Sequence, residues 1–198
     1  MTRCITENTD PYLYPGTDVL KTLRGFRDNK LLAEFEAEAT ARRLLRLNAM
    51  PTKGDFNTAH LKAIHQSIFQ DVYSWAGKFR TVNISKGGHS FARADFVEPA
   101  LDDMFRKLAV EKHLTGRDAP TFVKRSAFFL GEINAAHPFR EGNGRTQREF
   151  IRQLTHAAGF TLHWRRITRD QMIAASRDSF ITGNINGLIE IIQLCLLP

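Results

Sequence analysis

Cysteine is nearly absent: Cys4 and Cys195 stand at opposite ends of a 198-residue chain, with no CxxC and no paired framework. That argues against a disulfide scaffold or a cysteine-ligated zinc site and fits a reducing cytoplasm. Long apolar runs are missing too. The most hydrophobic stretch, INGLIEIIQLCLLP at 185–198, is too short to span a bilayer and carries Glu190, and the first residues, MTRCITENTDPYLYPG, hold no apolar signal core. No membrane association is expected. There is no internal repeat, no low-complexity tract and no linker rich in Gly, Pro or Ser, so residues 1–198 are expected to form one domain. Acidic residues are the minority: 21 against 28 Lys and Arg, a net charge of +7. Such a balance suits nucleotides, nucleic acid or an acidic protein as partner, and equally a plain solvated basic surface.

What the chain does contain is helical patterning. From Asn29 to Asn48, Leu31, Leu32, Phe35, Ala39, Leu44 and Leu45 recur near turn spacing among charges, and Pro51 ends the run. Further helices are expected over 58–70, with Leu61, Ile64, Ile68 and Phe69 inward, and over 95–114. Another runs from Pro120 to Ala136, where Phe122, Ser126, Phe129, Ile133 and Ala136 form the inner stripe. The next spans 144–159, with Phe150, Ile151, Leu154 and Ala158 inward, and two more fill 168–182 and 184–196. The segment FRTVNISKGGHSFA at 79–92 breaks this rhythm. Val82 and Ile84 alternate with polar residues before Gly87 and Gly88 offer a tight turn, which reads as a short β-hairpin. Ahead of the helices, DPYLYPGTDV at 10–19 reads as an ordered lead-in whose tyrosines and leucine can pack. The fold class is mainly α with one hairpin.

Between two of these helices lies HPFREGNGRTQR, residues 137–148. His137 closes one helix, Pro138 enforces the break, and Gly144 opens the next. Glycines that permit unusual backbone angles then lead into the free N–H groups of a helix N-terminus, an arrangement that binds anions through amides and the helix dipole. Arg145 and Arg148 sit three residues apart on the first turn, and their forks suit phosphate oxygens. Glu141 is one hard carboxylate beside that anion site, as Mg²⁺ bridging a polyphosphate requires. His137 titrates near neutral pH and can accept a hydroxyl proton. Phe139 anchors the loop to the core. The usual nucleotide signature GxxxxGK[ST] is absent, as is HExxH, and Pro138 prevents a regular helix from joining His137 to Glu141 as zinc ligands.

This stretch resembles the Fic family signature HxFx[DE]GNGRxxR, matched by His137, Phe139, Glu141, Gly142, Asn143, Gly144, Arg145 and Arg148. The segments DPYLYPG, DVYSWAGKFRTVNI and GEINAAHPF are also similar to family segments, so the likeness spans nearly the whole chain. It implies a Fic fold, a helical bundle with a β-hairpin flap beside the active-site loop, and transfer of AMP from ATP to a side-chain hydroxyl of a protein. In that scheme His137 deprotonates a target Tyr, Thr or Ser. Glu141 holds Mg²⁺ between the α- and β-phosphates. Gly142, Asn143 and Gly144 line the α/β-phosphate nest, Arg145 reaches the β-phosphate region and Arg148 the γ-phosphate. The hairpin over 81–92 corresponds to the flap that registers the target by strand addition, with Lys86, Gly87 and Phe91 in it.

Many family members block their own γ-phosphate site with a glutamate in the motif [ST]xxxE[GN]. Here only Glu141 and Glu7 precede Gly or Asn, and four residues before them stand His137 and Arg3. The resemblance therefore implies a separate small antitoxin that supplies the glutamate to Arg148. Small stand-alone bacterial members of this toxin type can modify the ATPase subunits of type II topoisomerases, a target class the resemblance offers for this chain. Two rival readings remain. One is a kinase or another nucleotide or phosphocholine transferase on the same fold, although kinase-type relatives depart from EGNGR. The other is a basic helical nucleic-acid-binding module, against which no DNA-reading motif is found and no direct nucleic-acid binding is expected.

Overall fold

The computed structural model describes residues 5–6 and 10–197; Cys4 and Glu7 lie outside the described residues. Helix α1, Asn29–Ala49, opens on an Asp28 cap whose carboxylate accepts from Lys30 and Leu31 N–H. It buries Leu32, Glu36, Ala39, Thr40 and Leu47, while Leu31 and Leu45 face outward. The inward face is thus partly polar, and two of the leucines in the sequence stripe are not on it. Helix α2, Thr58–Phe69, is capped by Asn57 and buries Leu61, Ile64, His65, Ile68 and Phe69. Helix α4, Ala119–Ala136, starts on an Asp118 cap followed by Pro120 and ends at His137, whose φ of 44° turns the chain left-handed. Helix α5, Asn143–Ala157, begins one residue before the expected Gly144, on Gly142 at φ 85°. Helices α6, Arg169–Thr182, and α7, Asn186–Cys195, complete the bundle, α6 on a Thr168 capping box with Gln171. One buried core runs through all of these elements, from Tyr12 to Cys195.

Helix α3, Ala94–Val110, is shorter than the 95–114 expected, because Lys112, His113 and Leu114 take φ values of 53°, 52° and 60°. Three successive non-glycine residues in the left-handed region are costly. Leu114 is fully buried there and His113 packs on Phe56, so tertiary contact offsets the strain. Periodicity carries no trace of such a turn.

The hairpin forms as expected. Strands β2, Ile84–Lys86, and β3, His89–Ser90, pair with Ser85 opposite Ser90 and Lys86 opposite His89, leaving a two-residue Gly87–Gly88 turn with φ of 59° and 80°. Two positive φ values are what a tight hairpin turn of matching twist demands. The sheet is larger than the hairpin alone: β1, Ile5–Thr6, pairs antiparallel with β2. A second ladder joins β4, Thr161–Leu162, to β5, Leu196–Leu197, so the last helix stops at Cys195 and the chain continues extended. No helix among the described residues is long and apolar enough to cross a membrane.

Candidate active site

The loop from His137 to Gly142 is fixed by side chains that reach it from distant parts of the chain. Asn143 folds back, its Oδ1 accepting from Phe139 N–H at 2.8 Å and its Nδ2 donating to the Phe139 carbonyl at 2.7 Å. Its amide is therefore committed to loop shape and contributes to an anion nest only through the backbone. Arg80, nearly fully buried, donates from Nε to the His137 carbonyl at 2.9 Å and from its Nη atoms to Val82, Ala92 and Ala136 carbonyls. One guanidinium thus binds the C-terminus of α4 to the base of the hairpin, with its charge at the negative end of the helix dipole. His65 Nε2 donates to the Glu141 carbonyl at 3.0 Å while its Nδ1 accepts from Gly77 N–H at 2.8 Å. Its ring stacks 3.8 Å from Phe139. Burial pushes the His65 pKa down to about 3, so the ring is a neutral tether. Arg140, in the variable position of the motif, forms a buried ion pair with Asp10 at 2.7 Å that ties the lead-in to the loop.

His137 sits half-buried where α4 ends. Its Nδ1–H donates to the Asn134 carbonyl at 3.3 Å, which selects the tautomer with a lone pair on Nε2. Burial lowers its pKa to about 3, the Asn134 contact opposes this, and the charges of Lys86 and Arg80 lower it further. The imidazole is thus an unprotonated acceptor at neutral pH. Phe91 stacks on it with centroids 3.9 Å apart, and Phe180 stacks on Phe91 at 4.6 Å.

The first N–H groups of α5 precede its first backbone bond, Thr146 N–H to the Gly142 carbonyl at 3.1 Å, and Gly144 there is exposed. The two arginines of this turn diverge. Arg145 donates to Glu36 Oε1 at 2.5 Å and to Thr40 Oγ1 at 3.1 Å, lies 4.7 Å over Phe69, and has Glu141 3.8 Å away. Arg148 instead lies back over Gly144, its Nη1 3.4 Å from where a Gly144 Cβ would stand. Among the described residues no carboxylate forms an ion pair with it, and burial together with the neighbouring charges of Arg145 and Arg169 lowers its pKa. An uncompensated cation at a helix N-terminus is an anion site. Glu141 accepts Gly142 N–H at 2.8 Å through Oε1 and is partly exposed.

The site therefore gathers His137, Glu141, the α5 N-terminus and Arg148, with the hairpin alongside. Of the three hairpin residues, Phe91 touches the imidazole, Gly87 builds the turn, and Lys86 is exposed but near enough to disfavour protonated His137. Sequence reading missed Glu36 and Arg80 and took His65 only as a helix-surface or core residue, not as a tether of the loop. Glu36 and His65 carried a signal, since each is a polar residue on the inward face of its helix; Arg80 had only its place just before the hairpin. No cluster of three His, Cys, Asp or Glu fit for a metal occurs among the described residues. A divalent ion could use Glu141 only together with ligands from a bound phosphate, which is the manner of Mg²⁺.

Residues 55–155 match the model of the Fic/DOC family. The chain is 42% identical over 186 residues to the protein adenylyltransferase VbhT of Bartonella schoenbuchensis, covering 94% of this chain and 39% of that protein. It is 39% identical over 175 residues to a Sinorhizobium fredii protein named a probable protein adenylyltransferase, covering 86% and 88%. Among solved structures, the BepC protein of Bartonella tribocorum with bound AMPPNP superposes with a TM-score of 0.89 at 28% identity, covering 94% of this chain and 96% of that one.

Proposed function

The chain belongs to the Fic/DOC family, and we propose that it is a protein adenylyltransferase: it moves AMP from ATP to a Tyr, Thr or Ser hydroxyl of a target protein. The observation that carries the reading is the pairing, on one twelve-residue stretch, of an unprotonated His137 with an anion site whose Arg148 has no acidic partner among the described residues. The adenylyltransferase names of the relatives and the nucleotide analogue bound by BepC support it. The chain spans about two fifths of the length of VbhT. Because one buried core runs from Tyr12 to Cys195, residues 1–198 are proposed to act as a single domain.

In the reaction, His137 Nε2 takes the proton of the target hydroxyl, and its oxygen attacks the α-phosphorus in line. The bond from the α-phosphorus to the oxygen bridging to the β-phosphate breaks, giving a phosphodiester-linked AMP on the target and pyrophosphate. Gly142, Asn143 and Gly144 contribute the loop shape and N-terminal amides that hold the phosphates, Arg145 borders the β-phosphate region, and Arg148 holds the γ-phosphate. Glu141 would hold Mg²⁺, which supplies charge neutralisation on the leaving pyrophosphate. The edge of β3, which pairs with no other strand among the described residues, offers a strand of the target its hydrogen-bonding register, with Lys86, Gly87 and Phe91 shaping the approach. The uncompensated Arg148 also supports a separate antitoxin whose glutamate occupies it, in a toxin–antitoxin pair working in the cytoplasm. Type II topoisomerase subunits are the target class we put first.

Incubation of the purified protein with lysate, Mg²⁺ and ATP labelled at either the α- or the γ-phosphate tests the reaction. Label entering a protein band from the α position alone is expected; label from γ but not α would make the enzyme a kinase. Arg148→Ala should raise the KM for ATP by about 10- to 100-fold, the loss of one or two charge-assisted hydrogen bonds worth roughly 1.5–3 kcal/mol. Unchanged ATP dependence in steady-state kinetics would remove Arg148 from the triphosphate site.

A further inference from the structure

We propose that Glu36, on α1 and outside the motif, is a positioning residue that keeps Glu141 available to the metal by holding Arg145 away from it. The inference rests on the AMP-transfer reading of the same site. Arg145 lies between two carboxylates, and the contest is unequal: its Nη2 is 2.5 Å from Glu36 Oε1 and 3.8 Å from Glu141 Oε1. Glu36 is fixed at both oxygens, since the Tyr73 hydroxyl donates to Oε2 while Arg145 donates to Oε1. Thr40 completes the cradle, its hydroxyl donating to the Glu36 carbonyl at 2.7 Å and accepting from Arg145 Nη1 at 3.1 Å. The guanidinium rests on the Phe69 ring, so its plane is set as well as its charge partner.

A guanidinium and a divalent cation compete for the same carboxylate oxygens. Glu141 and Arg145 are four residues apart, a spacing at which such side chains meet, and a shift of about 1 Å would convert their 3.8 Å contact into a charge-assisted hydrogen bond. Glu36, nearly buried and held by Tyr73, prevents that shift. Neutralising Glu36 sends Arg145 toward Glu141, and the metal must then displace a guanidinium. It also leaves the site one unit more positive, which opposes a cation and does not oppose the nucleotide polyanion. The two ligands are therefore affected in opposite senses, as a merely misfolded site would not do.

The near-isosteric Glu36→Gln is the direct test, with Mn²⁺ as paramagnetic probe and AMPPNP as nucleotide. Water-proton relaxation should show that the variant needs about tenfold more Mn²⁺ to form the ternary complex, in the range usual for residues that support a metal ligand. Calorimetry in chelator should show metal-free AMPPNP binding no weaker than in the wild type. Thr40→Val, which deletes only the hydroxyl between Glu36 and Arg145, should shift Mn²⁺ affinity in the same direction by less. Unaltered Mn²⁺ dependence in Glu36→Gln, or equal weakening of Mn²⁺ and of metal-free nucleotide, overturns the role of Glu36. A wild-type protein that binds no Mn²⁺–AMPPNP overturns the AMP-transfer reading itself and this inference with it.

Discussion

His137→Ala should lower AMP transfer about a thousandfold while leaving the affinity for ATP within about twofold of the wild type, because in the proposed reaction the side chain serves proton transfer and not phosphate binding. The imidazole is oriented for this by the Asn134 carbonyl on Nδ1 and by the Phe91 ring on its face, which leaves Nε2 as the acceptor. Its environment sets the charge state. An ordinary histidine is largely protonated at pH 5, whereas burial and the charges of Lys86 and Arg80 hold His137 near a pKa of about 3 in the free protein. The sign follows: with the folded value depressed, the base is unprotonated throughout pH 5–8 and needs no alkaline shift to act. Nuclear magnetic resonance titration of the His137 ring in the free protein should show no protonation on descending to pH 5. Triphosphate placed beside it adds negative charge and must raise the value, so the ring should begin to titrate at higher pH once AMPPNP is bound. A free-protein midpoint near 6.5 would contradict the depressed pKa of the buried ring, and a variant retaining more than a tenth of wild-type transfer contradicts the assignment of the base.

The sequence exposes the candidate stretch 137–148 more readily than its supports, for a physical reason. Residues 137–148 carry their meaning locally: a proline break, a glycine at positive φ and a helix start are all written within twelve positions. The same is true of the Asp28, Asn57 and Thr168 caps and of the Gly87–Gly88 turn. What holds the stretch in shape is written far away. Arg145 finds Glu36 across 109 positions, and Arg80 finds the His137 carbonyl across 57. Period-based reading treats a polar residue on an apolar stripe as a gap in the stripe, so Glu36 passes unmarked and His65 reads only as a helix-surface or core residue, although each is buried by the partner it meets. Arg145 illustrates the cost: spacing alone sends it and Arg148 to one anion, and only the fold reveals that α1 has drawn Arg145 aside. The left-handed turn at Lys112–Leu114 and the β4–β5 ladder were illegible in a different sense, since both exist only because tertiary packing overrides what short segments prefer.

Gly142 is where local conformation and tertiary packing coincide, and Gly142→Ala should be the most damaging single-methyl change in the chain. Its φ of 85° costs an L-residue about 1–2 kcal/mol. The added Cβ would also stand 2.2 Å from Phe69 Cζ and 2.4 Å from Cε2. Phe69 cannot give way cheaply: it is fully buried, stacked 4.6 Å from His65, and supports the Arg145 guanidinium. Overpacking of that kind adds about 1–3 kcal/mol, for a total of roughly 2–5 kcal/mol. In a chain of this length the melting temperature should then fall by about 10 °C. Gly88→Ala supplies the control. Its φ of 80° is nearly the same, but a Cβ there meets nothing within 4 Å, so only the backbone cost of about 1–2 kcal/mol should appear. Thermal melts of the two variants separate the terms, because conformational strain alone predicts equal losses. Nucleotide binding sharpens the contrast, since Phe69 displaced by the Gly142→Ala methyl carries Arg145 and the His65 tether of Glu141 with it. Gly142→Ala should therefore lose AMPPNP affinity well below its melting temperature, while Gly88→Ala keeps it; equal losses of stability in the two variants would show that Phe69 does not pack against the loop as described.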